Sequence, residues 1–328
     1  MERKPEIVVV GVASRDLDPT DPRGWRLGGG VSYTGLTLAR LGFRVGVLAG
    51  VDSLAADAAE LDLLRDAGAD VVPVPLARGP VLVNVEQPGG RVQHCIVGSD
   101  PVPVAALPER WRGVRSWMLV PVAAELPDAW AAVPAPDAMV ALGWQGLLRG
   151  LEAGATVRRV APGSSPIVRR ADLVGVSRDD LGPSVAIGAL RRLMRRDATL
   201  AVTQGEDGGL AVARSLRPTG PEARRWPAIG AARVVDPTGA GDVFLAAMAA
   251  ARLAPDRLAA TSGSPAGAPS DLDLLAGAAA ASLVIEDHGM LGVADLRAVR
   301  ARMAQALAAG WAVSPGDDPA EPRTPDPR

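Results

Sequence analysis

Short blocks of branched apolar residues alternate along this chain with stretches whose apolar positions recur every three or four residues. Residues 7–10 form an uninterrupted apolar block that stops at Gly11. A block with no polar face suits a strand covered on both sides, as in a parallel sheet. Residues 33–41 follow Gly28, Gly29 and Gly30 and place Leu36, Leu38, Ala39 and Leu41 at helical spacing. The pattern then predicts a strand at 44–48, a helix over 55–67 stopped by Gly68, and a strand at 71–74. It resumes with strands at 117–120, 138–142, 173–176 and 199–203, a helix over 184–195, and short strands at 211–213 and 233–235. Helices are predicted over 244–253, 272–285 and 295–308. Asp295 is placed to cap the last of these, with Leu296, Val299, Met303 and Leu307 on its buried face. This order predicts an α/β fold with a mostly parallel central sheet flanked by helices.

Residues 80–97 break the alternation. Val81, Val83 and Val85 alternate along the chain, Pro88, Gly89 and Gly90 turn it, and Val92, His94 and Ile96 alternate again. This is the pattern of a hairpin, and a hairpin inserted in an α/β chain serves as a lid, an interface or a plain edge. Residues 258–270 and the tail after Val313 read as loop, the tail too polar to bury a core.

Composition narrows the chemistry more than the fold. The 328 residues carry a net charge of −2, with 48% hydrophobic and 22% charged residues, so no basic footprint points to nucleic acid. Thirty-five residues are Lys or Arg, yet Lys4 is the only lysine. That argues against Walker-A NTPases, protein kinases and pyridoxal enzymes, all of which need a placed lysine. Cys95 is the single cysteine and His94 and His288 are the only histidines, which excludes an intrachain disulfide and disfavours a zinc cluster. The longest apolar run, 274–285, is too short for a membrane span and no signal segment opens the chain, so a cytoplasmic location without membrane contact is expected.

The segment from Val234 to Phe244 carries the clearest chemistry: Asp236-Pro237-Thr238-Gly239-Ala240-Gly241-Asp242 joins a predicted strand to an apolar helix. Small residues there leave the amides of Gly239, Ala240 and Gly241 open at a helix start, where unpaired donors and the helix dipole bind an anion. Asp242 falls in the first helical turn. It is either a helix cap or a base that takes the proton of a hydroxyl attacking a phosphoryl group. The spacing alone allows both.

This segment resembles the C-terminal signature of the ribokinase-like, or PfkB, carbohydrate kinases. The run from Gly28 to Gly42 resembles the N-terminal signature, and the likeness extends from about Ile7 to about Leu307. The resemblance implies one kinase domain over 1–312 with lid elements near 15–27 and 80–97, followed by a disordered tail at 313–328. It implies Asp242 as catalytic base and Gly239, Ala240 and Gly241 as the anion hole. Thr203, Gly205 and Gly208 match its phosphate-lining turn, and Ser177 with Asp180 replaces its Asn-x-x-Glu, with Asp180 toward magnesium. Asp16, Gly28, Gly29 and Tyr33 fall at substrate positions. Tyr33 stands where ribokinase itself has a sugar-binding Asn, a departure that suits a different polyol face or a space-filling role. Gln145 and Arg149 are further substrate candidates, and Asp236 falls where many members bind potassium. Glu125 lies just past a strand end, as a surface or site residue. ATP and magnesium are the implied cofactors and potassium an optional one, with a small polyol as substrate and a homodimer through the lid as an option. A nucleoside kinase and a catalytically weak binding protein on the same fold stay open. A nicotinamide oxidoreductase is disfavoured because Gly28, Gly29 and Gly30 lack the spacing and the preceding strand of a dinucleotide fingerprint.

Overall fold

A computed structural model of the chain describes residues 4–87, 90–213, 223–259 and 271–316. In chain order the first half contains β1 (Ile7–Val12), β2 (Arg15–Leu17), β3 (Trp25–Leu27), α1 (Gly30–Arg40), β4 (Val45–Val51), α2 (Ala59–Asp66), β5 (Asp70–Pro75), β6 (Val81–Gln87), β7 (Gly90–Val97), β8 (Ser116–Leu119) and β9 (Met139–Gly143). Next come β10 (Arg149–Gly150), β11 (Ala155–Thr156), β12 (Arg158–Arg159), α3 (Pro166–Arg170), β13 (Leu173–Ser177), α4 (Arg178–Leu181), α5 (Ile187–Leu190), β14 (Thr199–Thr203), β15 (Gly209–Val212) and β16 (Ala223–Trp226). The last are α6 (Ala240–Leu253), α7 (Pro255–Leu258), α8 (Leu272–Val284), α9 (Leu296–Ala308) and β17 (Ser314–Pro315).

The central sheet has ten strands in the order β17-β16-β15-β14-β13-β9-β8-β1-β4-β5. Every pair from β14 to β5 is parallel, and β15, β16 and β17 extend the sheet antiparallel. The apolar blocks of the sequence have their explanation here. Ile7 and Val9 of β1 face a layer that includes α1, α6 and α8, while Val8, Val10 and Val12 face a second layer holding Trp111, Trp117, Trp130 and Trp144. With both faces covered, each such side chain contributes about 1.5–3 kcal/mol of burial.

The chain leaves β1 for β4 and β5 on one side and returns to β8 on the other. Strand order therefore reverses between β1 and β8, and such a reversal opens a crevice at the carboxyl ends of the strands. A second sheet, β11-β7-β6-β2-β3, gathers the segments 15–27 and 80–97 with Ala155 and Thr156. The hairpin turn at Pro88 and Gly89 lies outside the described residues.

Several elements differ from the sequence pattern for identifiable reasons. Helix α1 starts at Gly30, three residues early, because Gly29 (φ 89) takes the cap position that no L side chain adopts readily. The stretch 55–67 divides into a 3₁₀ turn at Ala55–Asp57 and α2, with extended Ala58 between them. The helix predicted over 184–195 is reduced to α5 and one 3₁₀ turn, Arg191–Leu193, in a stretch that begins after Pro183 and contains Gly188. No strand forms at 233–235; Val234 is 70% exposed, and the Val235 amide donates to the Ile285 carbonyl. Ser314 and Pro315, expected in a disordered tail, pair with Arg224 and Arg225 of β16, because this antiparallel edge had an open side. Residues 317–328 of that tail and 260–270 of the predicted loop lie outside the described residues. Asp295 caps α9 by accepting from the Ala298 amide at 2.8 Å, but Leu307 is 41% exposed rather than packed.

Glu125 ties the two strand ends that border the crevice. It is 2% exposed, and its carboxylate accepts amide hydrogens from Val12, Val122 and Ala123, the last at 2.7 Å. Burial pushes its pKa up against these amides. It is therefore neither a surface group nor open to a ligand. Replacing Glu125 by Ala leaves three buried donors unpaired, at about 1–3 kcal/mol each when no water replaces the carboxylate. Glu125→Ala is expected to lower stability by at least about 2 kcal/mol in urea unfolding, and Glu125→Gln by less. A melt unchanged in Glu125→Ala contradicts this role.

Candidate active site

The candidate residues follow the carboxyl ends of successive parallel strands. Ser14 and Asp16 come after β1, Gln145 and Arg149 after β9, Ser177 ends β13, and Thr203 ends β14. Asp242 reaches the same place from the first turn of α6. Missing side chains allow that helix to approach. A Cβ at Gly175 in β13 would stand 3.0 Å from Leu245, and one at Gly277 in α8 would stand 2.8 Å from Phe244. Phe244 in turn stacks on Trp226 with ring centroids 5.1 Å apart.

The first turns of α1 and α6 meet at the β1–β8 crevice. A Cβ at Gly30 would lie 2.9 Å from Oδ1 of Asp242 and 3.1 Å from Cβ of Val120, so the carboxyl rests where any larger residue would displace it. Burial pushes Asp242 up to about 7; the charge of Arg149 opposes that rise and Asp180 adds to it. A carboxyl with this value holds a proton for about half the time near neutrality and can accept one from a substrate hydroxyl.

The turn before α6 is fixed from below. Gly239 is the cap of α6 at φ 79, and the Tyr33 ring occupies the space a Cβ would need. Tyr33 is itself 2% exposed, and burial with nearby Asp16, Asp236 and Asp242 raises its hydroxyl pKa. Its ring thus lies beneath the turn. Asp236 braces the same turn, accepting the Thr238 amide at 2.9 Å on one oxygen and the Gly289 amide at 3.1 Å on the other. The Ala240 amide donates to Pro237 at 3.3 Å and serves the turn itself. Gly241 is exposed, and nothing stands within 4 Å of a Cβ there, so a ligand has room to approach its backbone.

Asp180 gathers a polar cluster on the floor. Its carboxylate accepts from the Ser177 hydroxyl at 2.6 Å, Gln145 at 3.1 Å and Arg149 at 3.1 Å, while Ser177 caps the following turn through the Asp180 amide. Gln93 and Asn84 of the second sheet join this cluster, two residues that sequence reasoning missed. Arg149 donates to Gln93 at 3.1 Å, and Gln93 donates to Asn84 at 2.9 Å. Their polar positions on the alternating strands of the 80–97 hairpin were the only available signal.

Elsewhere, Asp16 accepts from Ser14 at 2.9 Å and its carboxyl fills the space beside Gly28, while Ser14 and Gly28 exchange backbone hydrogen bonds at 3.2 and 2.8 Å. Gly29 passes too close to the Val12 carbonyl to carry a side chain. Gly205 (φ 58) faces open space, whereas Gly208 (φ 78) is required by close approach of the Trp226 backbone. His94 pairs with Thr156 inside the second sheet, and Cys95 is buried there with its thiol pKa raised by desolvation.

Among the described residues no group of three or more His, Cys, Asp and Glu is placed to hold a metal. Among the described residues no helix is long and apolar enough to cross a membrane.

Residues 178–294 match the model of the pfkB family carbohydrate kinases. No curated protein matches the chain. Among solved structures, a pyrophosphate-dependent kinase in the ribokinase family, complexed with a pyrophosphate analog and myo-inositol, aligns at 17% identity over 90% of this chain and 99% of its own, with a TM-score of 0.66. Arabidopsis thaliana ribokinase complexed with ribose and ATP aligns at 18% identity over 92% and 99%, with a TM-score of 0.63. The Methanocaldococcus jannaschii nucleoside kinase aligns at 15% identity over 92% and 99%, with a TM-score of 0.59.

The raised value of Asp242 has a consequence for stability. Between the carboxyl's usual value of 3.8 and about 7 the folded chain binds more protons at this site than the unfolded chain, so this contribution to stability falls as pH rises through that window. Asp242→Asn removes the titration. Its melting temperature is expected to match wild type near pH 4 and to exceed it at pH 8. A difference independent of pH contradicts the assignment.

Proposed function

We propose that this chain, a ribokinase-like kinase of the pfkB carbohydrate kinase family, transfers the terminal phosphoryl group of ATP to a hydroxyl of a small sugar or cyclitol, with Asp242 as the base. The observation that carries this reading is the place of the Asp242 carboxyl, at the meeting of two helix starts in the strand-order crevice, where desolvation pushes it up to about 7. The substrate lies between Asp16 near Gly28 and the Asp242 carboxyl. Asp242 takes the hydroxyl proton as the substrate oxygen attacks, and the bond from phosphorus to the donor's bridging oxygen breaks. The amides of Gly239 and Gly241 face the charge that develops on the phosphoryl oxygens. Thr203 and Gly205 line the donor side, and the Asp180 carboxylate would hold a magnesium ion, which would supply positive charge to the donor phosphates. The second sheet shields the reaction from water. Asp236 is the place for potassium, although its two amide bonds already fix the turn.

A second reading of the donor has specific support: the structure aligned with the pyrophosphate analog has the same fold, and its bound acceptor is myo-inositol. Pyrophosphate and ATP present the same terminal phosphoryl chemistry to Gly239, Gly241 and Asp242. A nucleoside acceptor rests on the fold of the archaeal nucleoside kinase.

Purified protein incubated with ATP or pyrophosphate and a panel of myo-inositol, ribose, fructose and adenosine is expected to phosphorylate a polyol. Asp242→Asn is expected to lower that turnover by about 100-fold or more while donor binding survives. Near wild-type turnover in the variant contradicts the base assignment, and no transfer to any acceptor contradicts the kinase reading. Removing potassium in favour of a large organic cation at equal ionic strength is expected to lower turnover if Asp236 holds the ion; equal rates exclude it.

A further inference from the structure

Phosphoryl transfer needs positive charge opposite the donor, and the single lysine does not supply it. Lys4 donates to the Arg112 carbonyl and precedes β1, at the end of the sheet opposite the crevice. Among the candidates, Arg149 stands apart. Its side chain is 18% exposed and bridges the two parts of the site: Nη2 donates to Asp180 on the floor at 3.1 Å, and Nη1 donates to Gln93 of β7 at 3.1 Å. Gln93 is oriented in turn by Asn84 of β6. Arg149 is also the cation whose charge bears on Asp242.

We propose that Arg149 binds the terminal phosphoryl group of the donor, aimed from the second sheet by Gln93 and Asn84. This rests on the kinase reading above and adds the residue that grips the group being transferred. A guanidinium offers two parallel donors to two phosphoryl oxygens, which an ammonium does not match. It forms no bond that must break. The phosphoryl group passes from the bridging oxygen to the substrate oxygen, the proton goes to Asp242, and Arg149 stays on the equatorial oxygens where charge spreads. Asp180 keeps the Ser177 hydroxyl and Gln145 as partners when Arg149 turns to the phosphate, so the exchange leaves no unpaired buried carboxylate. Because Arg149 touches the second sheet, its aim depends on that sheet being in place, which couples donor grip to closure over the acceptor.

The test is calorimetric titration of the magnesium complexes of pyrophosphate and of a non-hydrolysable ATP analogue into wild type, Arg149→Met and Arg149→Lys, with melting curves to confirm folding. Wild type is expected to bind at least one donor, Arg149→Met to lose about tenfold or more in affinity, and Arg149→Lys to fall between. Affinity of Arg149→Met within about twofold of wild type overturns the proposal, as does a wild type that binds neither donor. If Arg149→Met does not fold, equal affinity of Arg149→Lys and wild type overturns it instead. Donor binding that depends on Arg149 in a protein that phosphorylates no acceptor supports this assignment and contradicts the kinase reading.

Discussion

The site depends on a close approach of two helix starts at the point where strand order reverses. Helices α1 and α6 both begin after a glycine of positive φ, and the Asp242 carboxyl fills the space left beside Gly30. Close approach strips part of the water from the carboxyl, and that desolvation lifts its affinity for a proton. The rest of the molecule maintains this arrangement. Gly175 and Gly277 let α6 sit low on the sheet, the Tyr33 ring supports Gly239, Asp236 ties the turn to Gly289, and Glu125 joins the strand ends beneath.

Charge is distributed around that point in an uneven way. Asp16, Asp180, Asp236 and Asp242 face the region near Tyr33 and Arg149, and the near absence of lysine leaves arginine and backbone amides as the positive partners. Each carboxylate on the floor has partners of its own: Ser14 for Asp16, the cluster of Ser177, Gln145 and Arg149 for Asp180, and two amides for Asp236. Asp242 differs in that burial dominates its environment. The same residue type therefore meets different surroundings at neighbouring positions: three carboxylates are held by hydrogen bonds, and Asp242 is set mainly by desolvation.

Much of the fold was legible because a sheet covered on both faces imposes uninterrupted apolar blocks, and 7–10, 117–120, 138–142 and 173–176 all became parallel strands. Periodicity failed where local geometry overrode it. The stretch 184–195 has helical composition, yet only α5 and one tighter turn form, and 233–235 looks like a strand but forms none, its Val235 amide donating to the Ile285 carbonyl before the Gly239 turn. The turn itself was legible because its small residues are demanded by backbone approach. Less so was the cluster of Gln93, Asn84, Arg149 and Asp180, whose members come from three separate parts of the chain. Tyr33 was placed at the site by spacing, but only the structure puts its ring under Gly239.

The central claim is that Asp242 is a half-buried carboxyl poised near neutrality. Carbon-detected magnetic resonance of aspartate-labelled protein, with Asp242→Asn to assign the signal, measures its titration directly. The account predicts a midpoint near 7 for the resonance missing from the variant. A midpoint near 4, the value of an ordinary exposed carboxyl, would contradict it.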